Sequence, residues 1–126
     1  MRDVIIATVI LVLIISVCVT FYNLSMDFCR EMSDNLRLTK EAVTQKDYDL
    51  ASGYAKKCID ILEKNNKWLS AMANHEELNA MKTGLLRVQQ FIAFCDDEEA
   101  MAELGEVSGL VNHFNNSEQV SIENIF

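Results

Sequence analysis

The residues able to do chemistry are few and scattered along the chain. There are two histidines, His75 and His113, and four cysteines. No two cysteines form the Cys-x-x-Cys pair typical of a zinc site. The sequence also lacks the nucleophile-elbow, phosphate-loop, dinucleotide and zinc-protease motifs. It therefore offers no catalytic residue, no metal ligand set and no cofactor site, and we predict that the protein is not an enzyme.

An acidic run at residues 96–99 and the side chain of His75 are the remaining candidates for a cation site. His75 lies at the start of one predicted helix, and the acidic run at the start of the next. In an antiparallel bundle these two positions lie at opposite ends, which excludes a shared site. We interpret the acidic run as a helix cap followed by carboxylates that suit the positive end of a helix dipole.

The cysteines leave one possible disulfide. Cys18 lies in an apolar stretch, where it serves as a small apolar residue. In an antiparallel arrangement, the heights of Cys29 and Cys58 differ by only about 6 Å, and Cys95 lies far from both. We therefore consider a Cys29–Cys58 disulfide, which requires Cα atoms within about 7 Å. The alternative for this pair is two buried thiols.

The element that must position everything else is the uncharged stretch at residues 4–22, VIIATVILVLIISVCVTFY. As a helix it is roughly 28 Å long, close to the hydrocarbon thickness of a bilayer. Phe21 and Tyr22 end it, as aromatic residues do at a membrane–water boundary. Its apolar core is longer than that of a signal peptide, and no small-residue cleavage site follows. We predict an uncleaved transmembrane anchor that contacts the lipid bilayer through residues 4–22.

The charged residues indicate the orientation of the anchor only weakly, but they argue clearly against nucleic acid as a partner. Arg2 precedes the anchor, whereas the basic residues that follow it are mixed with acidic ones, so the positive-inside bias is small. A very short N-terminal tail before a long domain favours a cytoplasmic N-terminus and an extracytoplasmic body in the cell membrane. The net charge of −8 and the pI of about 4.6 argue against nucleic acid as a partner.

The composition predicts an all-α fold. There is no Pro and there are only four Gly residues, so helix breakers and turn chemistry are scarce. We predict an N-terminal transmembrane helix that continues into an antiparallel bundle of about four helices. The expected organisation is an anchor at 1–22, a helical bundle at 23–114 and a C-terminal tail at 115–126.

Helix boundaries follow from caps and three–four spacing of apolar residues. The first helix continues to about Thr44. The second is capped by Asp47 and the third by Asn74. The fourth is capped by Asp96 and ends at Asn115-Asn116-Ser117. Residues 67–73 form either a helical turn or a connecting loop.

Two Asp-x-x-x-Ala segments, at 47–51 and 96–100, lie 49 residues apart. Two copies are too few for a repeat family, and each segment is a common way to start a helix. We therefore interpret this similarity as ordinary helix-start pattern.

Apolar residues gather at the end of the bundle that this topology places next to the membrane. They form a possible partner surface, because exposed apolar patches mark interfaces. Three other interpretations remain: the tryptophan fills the base of the bundle, or the tail folds back onto the helices, or the tail is disordered. The candidate residues are Trp68, Leu69, Met72, Val120, Ile122, Ile125 and Phe126.

These features favour a non-enzymatic, membrane-anchored interaction or accessory subunit at the cell envelope. Its partner would be another membrane protein or a second copy of the chain. The alternative is an extracytoplasmic ligand-binding or sensor bundle, since small molecules bind between bundle helices. A pocket lined by Tyr48 and Tyr54 would favour that alternative, and a solid core would favour the accessory subunit.

Several short segments also resemble a known family. They are the N-terminal span with the single Trp, the His-Glu-Glu-Leu helix start at 75–78, the Leu-Leu-Arg-Val segment at 85–88, the acidic start of the fourth helix, and the terminal Glu-Asn-Ile-Phe at 123–126. Together they resemble a family of small single-pass membrane proteins, a domain of unknown function, from spore-forming Gram-positive bacteria. The resemblance implies a cell-membrane protein of this size and, by analogy, a role at the cell or spore envelope. It implies no catalytic residue.

Overall fold

The architecture is all-α. The computed structural model describes the backbone of residues 1–125 and the side chains of residues 1–117. Its helices are α1 (Arg2–Thr44), α2 (Tyr48–Lys64), α3 (Asn66–Met72), α4 (His75–Ala93) and α5 (Asp97–Ile125). No strand occurs among the described residues. The predicted fold, a long apolar N-terminal helix followed by a helical bundle, is confirmed.

Helix α1 is a single helix with two different surroundings. It contains 43 residues, and no Gly or Pro interrupts it. Its N-terminal half stands clear of the bundle, with Val4 67% and Leu13 60% exposed. Its C-terminal half contributes Phe28, Met32 and Leu36 to the core. By length and composition the first half is able to cross a membrane, and none of its most apolar window is buried.

Four long helices enclose the core in a ring. Helix α1 packs against α2 and α5, and α4 packs against the same two helices. The short connections make neighbours antiparallel, as the sequence predicts. We call the end from which the apolar half of α1 emerges the base, and the end with the turns at 45–47 and 94–96 the tip. Helix α3 closes the base.

Both turns at the tip have the same uncommon backbone. Lys46 and Cys95 adopt the left-handed conformation, with φ of 60° and 55°, although neither is a glycine. The next residues donate backbone hydrogen bonds to carbonyls five positions earlier, from Asp47 to Ala42 at 2.9 Å and from Asp96 to Phe91 at 2.8 Å. These are Schellman turns, which satisfy the last carbonyls of a helix.

The predicted caps begin the helices that follow. A carboxylate oxygen of Asp47 accepts from the Leu50 backbone N–H, and one of Asp96 accepts from that of Glu99, both at 3.2 Å. The Asn74 side chain accepts from the Glu76 backbone N–H at 2.9 Å. Each cap satisfies a helix N–H group that has no partner within the helix.

The 49-residue offset extends well beyond the two helix starts. The hairpin formed by α1 and α2 and the hairpin formed by α4 and α5 bury side chains at many corresponding positions. The two hairpins thus share a burial pattern, although few of the paired residues are identical. Buried pairs at this offset are Cys29/Leu78, Met32/Met81, Leu36/Leu85, Thr39/Val88, Val43/Ile92, Ala51/Ala100, Ala55/Leu104, Cys58/Val107 and Leu62/Val111.

In the second hairpin, α4 and α5 approach each other closely at a glycine. A Cβ atom added at Gly84 would lie 2.6 Å from Cγ2 of Val107. The missing side chain therefore lets α4 and α5 approach each other. The corresponding residue in the first hairpin is Asn35, which lies on α1 at the edge of the core.

Two sequence expectations about boundaries need correction or completion. Helix α5 continues to Ile125, so the predicted end at Asn115-Asn116-Ser117 is wrong. Asn and Ser are only mildly unfavourable in a helix, and no Gly or Pro follows them to stop it. Of residues 67–73, for which the sequence allows a helical turn or a loop, all but Ala73 lie in the helix α3. The Asn65 side chain accepts a hydrogen bond from Trp68 of this helix.

Candidate functional site

The base of the bundle is built around three aromatic rings from different helices. Phe28 of α1 packs edge-on against Trp68 of α3, with ring centroids 5.9 Å apart, and against Phe114 of α5 at 5.8 Å. Trp68 and Phe114 are 6.5 Å apart. Edge-to-face contact is favourable because the positive edge of one ring meets the negative face of another. We call Phe28, Trp68 and Phe114 the aromatic base.

Hydrogen bonds hold the tryptophan in place. The indole Nε1–H donates to Oδ1 of Asn65 at 2.8 Å, and Nδ2 of Asn65 donates to the Ile61 carbonyl at 2.7 Å. Asn65 thereby links the end of α2 to Trp68. The indole is half-buried: it packs on the core while part of its surface remains accessible. This agrees with the interpretation in which the tryptophan fills the base.

The residues of the predicted partner surface differ in their exposure to solvent. Leu69 is completely buried in the core, so it offers no contact area to a partner. Met72 is 37% exposed and Trp68 is half-buried. The side chains of the predicted C-terminal members, Val120, Ile122, Ile125 and Phe126, lie outside the described residues. Trp68 and Met72 are therefore the part of this surface that the structure places at the base.

The cysteines are thiols. No disulfide joins Cys29 to Cys58, and both side chains are buried, so the alternative of two buried thiols describes this pair. Burial raises the pKa of the Cys58 thiol to about 12, and a hydrogen bond with Thr39 acts in the opposite direction. Cys58 is therefore protonated and unreactive at neutral pH. Cys95 is exposed in the second turn of the tip.

A charged cluster joins the two hairpins at the tip. The Asp97 carboxylate accepts from Nζ of Lys46 and from the hydroxyl of Tyr48, each at 2.8 Å. The hydrogen bond from Lys46, followed by that from Tyr48, lowers the pKa of Asp97. The same carboxylate raises the pKa of Lys46 and of Tyr48, chiefly through these hydrogen bonds. This exposed cluster fixes how the two turns meet.

Among the described residues, Tyr48 and Tyr54 have separate surroundings on α2. The Tyr48 hydroxyl is bonded to Asp97. Tyr54 borders a shallow depression of about 160 Å³ whose other lining residues also lie on α2. A larger groove of about 430 Å³ lies between α2 and α4, on the outer surface of the bundle, and its lining includes Glu63 and Lys82.

The histidines lie apart from the acidic run. His75 begins α4 at the base, whereas Asp97 begins α5 at the tip. Nδ1 of His113 lies 3.1 Å from Oε1 of Glu77, an ion pair between α4 and α5 when the imidazole is protonated. Among the described residues, no group of three or more His, Cys, Asp or Glu side chains could hold a metal ion.

Comparison with known proteins gives a family and no function. Neither the curated proteins nor the solved structures contain a match. A model of a protein family, described as a domain of unknown function (DUF4363), matches residues 19–125. The match covers the end of the apolar stretch, the whole bundle and the backbone of α5 to its last residue. The chain therefore belongs to the DUF4363 family.

Proposed function

We propose that the protein is a non-enzymatic accessory subunit of the cell envelope, anchored in the cell membrane by the first half of α1. The unbroken course of α1 carries this proposal. No residue in its most apolar 18-residue window is buried, and exposed apolar surface is unfavourable in water by about 25 cal/mol per Å². A bilayer would cover it along roughly 28 Å.

The continuity of α1 has a mechanical consequence. No flexible linker separates the anchor from the core, because the same helix contributes residues to both. A membrane-anchored bundle would then stand at a fixed height and direction above the lipid, with the aromatic base nearest to it. Such anchoring raises the effective concentration of the bundle for a partner in the same membrane.

We place the N-terminus in the cytoplasm and the bundle outside. The resemblance to single-pass proteins of spore-forming Gram-positive bacteria agrees with an envelope location. The partner would be another membrane protein or a second copy of the chain. Its contact surface would include Met72 and the accessible part of Trp68, together with the predicted C-terminal residues.

The packing of the bundle supports an accessory subunit over a ligand-binding protein. Leu36, Leu85 and Leu104 are fully buried in the space between the long helices, which leaves that space filled. The groove between α2 and α4 is the observation that favours the alternative, an extracytoplasmic ligand-binding or sensor bundle. Its Glu63 and Lys82 side chains suit a small zwitterionic ligand.

Co-purification from native membranes tests the proposal. The full chain carries a tag at its N-terminus, so that the C-terminus stays untouched. We expect a stoichiometric membrane partner that is lost in the base variant Met72→Ser. It should be retained in the tip variant Leu50→Ser, which alters a similarly exposed apolar residue. Equal loss in both variants, or recovery of the chain alone, would count against the proposal.

A further inference from the structure

The short helix α3 lies across the base with one face toward the core. Leu69 is completely buried, and the Trp68 ring packs against the rings of both α1 and α5. Residues two positions before and after a buried helical residue lie on the opposite face of the helix. Lys67 and Ala71 occupy that face of α3, and both are exposed. This face therefore points away from the core, at the end of the bundle from which the apolar half of α1 emerges.

The segment at residues 64–74 differs in charge from the chain as a whole. The net charge of the chain is −8, yet this segment contains Lys64 and Lys67 and no acidic residue. Both lysine side chains are exposed, and neither takes part in an ion pair with another described residue. Glu63 precedes the segment and Glu76 follows it, so carboxylates lie at its margins and not within it.

Two other carboxylates at the base have basic partners of their own. Asp27 lies 2.9 Å from a guanidinium nitrogen of Arg30. Glu77 lies 3.1 Å from Nδ1 of His113 and forms an ion pair with it when the imidazole is protonated. The lysines of residues 64–74 are therefore the basic side chains at the base that suit an external anion.

The register along α1 determines the height of α3 above the apolar stretch. That stretch ends at Tyr22, and Trp68 packs against Phe28 further along the same helix. Between Tyr22 and Phe28 the helix rises roughly 9 Å. The headgroup region of a bilayer is about 5–8 Å thick on each side of the hydrocarbon. With α1 in a membrane, α3 would lie at the outer edge of the headgroups, which long lysine side chains are able to reach.

We propose that α3 and Lys64 form a membrane-facing foot, in which Lys64 and Lys67 bind the phosphates of anionic lipid headgroups. The charge of the two lysines complements that of anionic lipids. Trp68 is a side chain of the type enriched at membrane–water boundaries. The foot is also continuous with the anchor, because both lie at the same end of the bundle. These three features favour lipid headgroups as the occupant of this face.

The foot rests on the membrane anchor of the proposed function and adds a class of lipid to it. A bundle held by α1 alone has one contact with the bilayer, and the foot supplies a second contact beside it. The two contacts together limit the tilt of the bundle over the membrane. Met72 lies one turn after Trp68, on the same side of α3, and so remains at the edge of the foot for a partner.

Fluorescence of Trp68 tests the foot, because it is the only tryptophan in the chain. The full chain is reconstituted in vesicles of phosphatidylcholine and phosphatidylglycerol. In parallel samples, an equal fraction of one lipid or the other carries a nitroxide near the top of its acyl chain, which quenches a nearby indole. The labelled phosphatidylglycerol should quench Trp68 more strongly, with an enrichment of about fivefold or more around the two lysines. Salt at about 1 M should remove this preference by screening the charges.

Two double variants show whether the foot carries the preference. Lys64→Gln with Lys67→Gln should abolish it. Lys56→Gln with Lys57→Gln removes the same charge from exposed lysines further from the base on α2, and should retain it. Flotation with the vesicles separates the two proposals, because a chain that does not float would overturn the anchor and the foot together. In a chain that floats, equal quenching by both lipids, or the same response in the two double variants, would overturn the foot alone.

Discussion

The two ends of the bundle are held by different interactions. At the base, Phe28 of α1 meets Trp68 of α3 and Phe114 of α5 edge-on, and Phe28 and Phe114 are buried. At the tip, Lys46, Tyr48 and Asp97 form a hydrogen-bonded cluster in which the lysine side chain is 71% exposed. Burial of aromatic rings is worth several kcal/mol, whereas exposed ion pairs contribute little.

The two ends therefore have different roles: the base stabilises the bundle, and the tip determines how the two hairpins align. The base buries apolar side chains where the bundle meets the apolar half of α1. A cavity there should therefore destabilise the bundle and loosen its attachment to that half of the helix. The tip contributes two stiff turns and a polar cluster that determine how the hairpins are aligned. Unfolding of the full chain in detergent micelles, followed by circular dichroism, tests this difference between base and tip.

Removal of a ring from the base should have the largest effect. Phe114→Ala is expected to lower the free energy of unfolding by about 3–5 kcal/mol, because it leaves a cavity between α1 and α5. Phe94→Ala is the matched control at the tip, where the ring is 82% exposed, and it should change stability by less than about 0.5 kcal/mol. Similar losses in the two variants would contradict the contrast between base and tip.

The close approach in the second hairpin gives the next effect. Gly84→Ala should destabilise the chain by about 1–3 kcal/mol, because its Cβ would collide with Val107. Gly105→Ala places the same methyl group in open space on α5 and should stabilise by up to about 1 kcal/mol. Urea midpoints that move in opposite directions would verify the helix spacing, and two stabilising changes would refute it.

The helix caps at the tip test whether the two hairpins are alike in energy as well as in geometry. Asp47→Ala and Asp96→Ala each remove one hydrogen bond to a backbone N–H at 3.2 Å. Each should cost about 1 kcal/mol. Because the turns have the same geometry, we expect the two losses to agree within the error of thermal melts. A large difference would show that the hairpins tolerate the change differently.

The charged cluster should give the smallest and most pH-dependent effect. The pKa of Asp97 is lowered in the folded chain, so its contribution is present above the unfolded value of about 3.9 and is lost as the pH falls through the folded pKa. The pKa of Lys46 is raised, so its contribution is lost as the pH rises through the folded pKa, above about 10.4.

Asp97→Asn removes the charge at the centre of this cluster. The variant should be less stable than the native chain at neutral pH. This difference in stability should shrink in acid, where Asp97 is protonated, and at high salt, which screens the charges. Unfolding of both chains across the acidic range measures this convergence. A difference that persists unchanged at low pH would assign the effect to packing and not to charge.

Much of this fold was predictable because its signals are local. The absence of Gly and Pro from α1 predicted one continuous helix, and three–four spacing predicted the buried stripes. Asp47, Asn74 and Asp96 marked helix starts through a side-chain bond that needs only nearby residues. These features depend on neighbours within four positions, which a sequence displays directly.

What the sequence did not reveal depends on tertiary packing. Lys46 and Cys95 carry no glycine signal for their left-handed backbone, so the likeness of the two turns emerged only from the structure. The Asn115-Asn116-Ser117 segment resembled a helix end, yet α5 continues through it. At the candidate site, the burial of Leu69 beside the half-buried Trp68 depends on how α3 packs against the core.

Labelling of Cys95 tests the central claim, that α1 anchors the chain and presents the bundle outside the membrane. Cys95 is exposed at the tip, while Cys29 and Cys58 are buried. In intact cells, a membrane-impermeant maleimide should label the native chain in the membrane fraction and should not label Cys95→Ser. Labelling that requires permeabilised cells, or recovery of the chain without membranes, would contradict the claim.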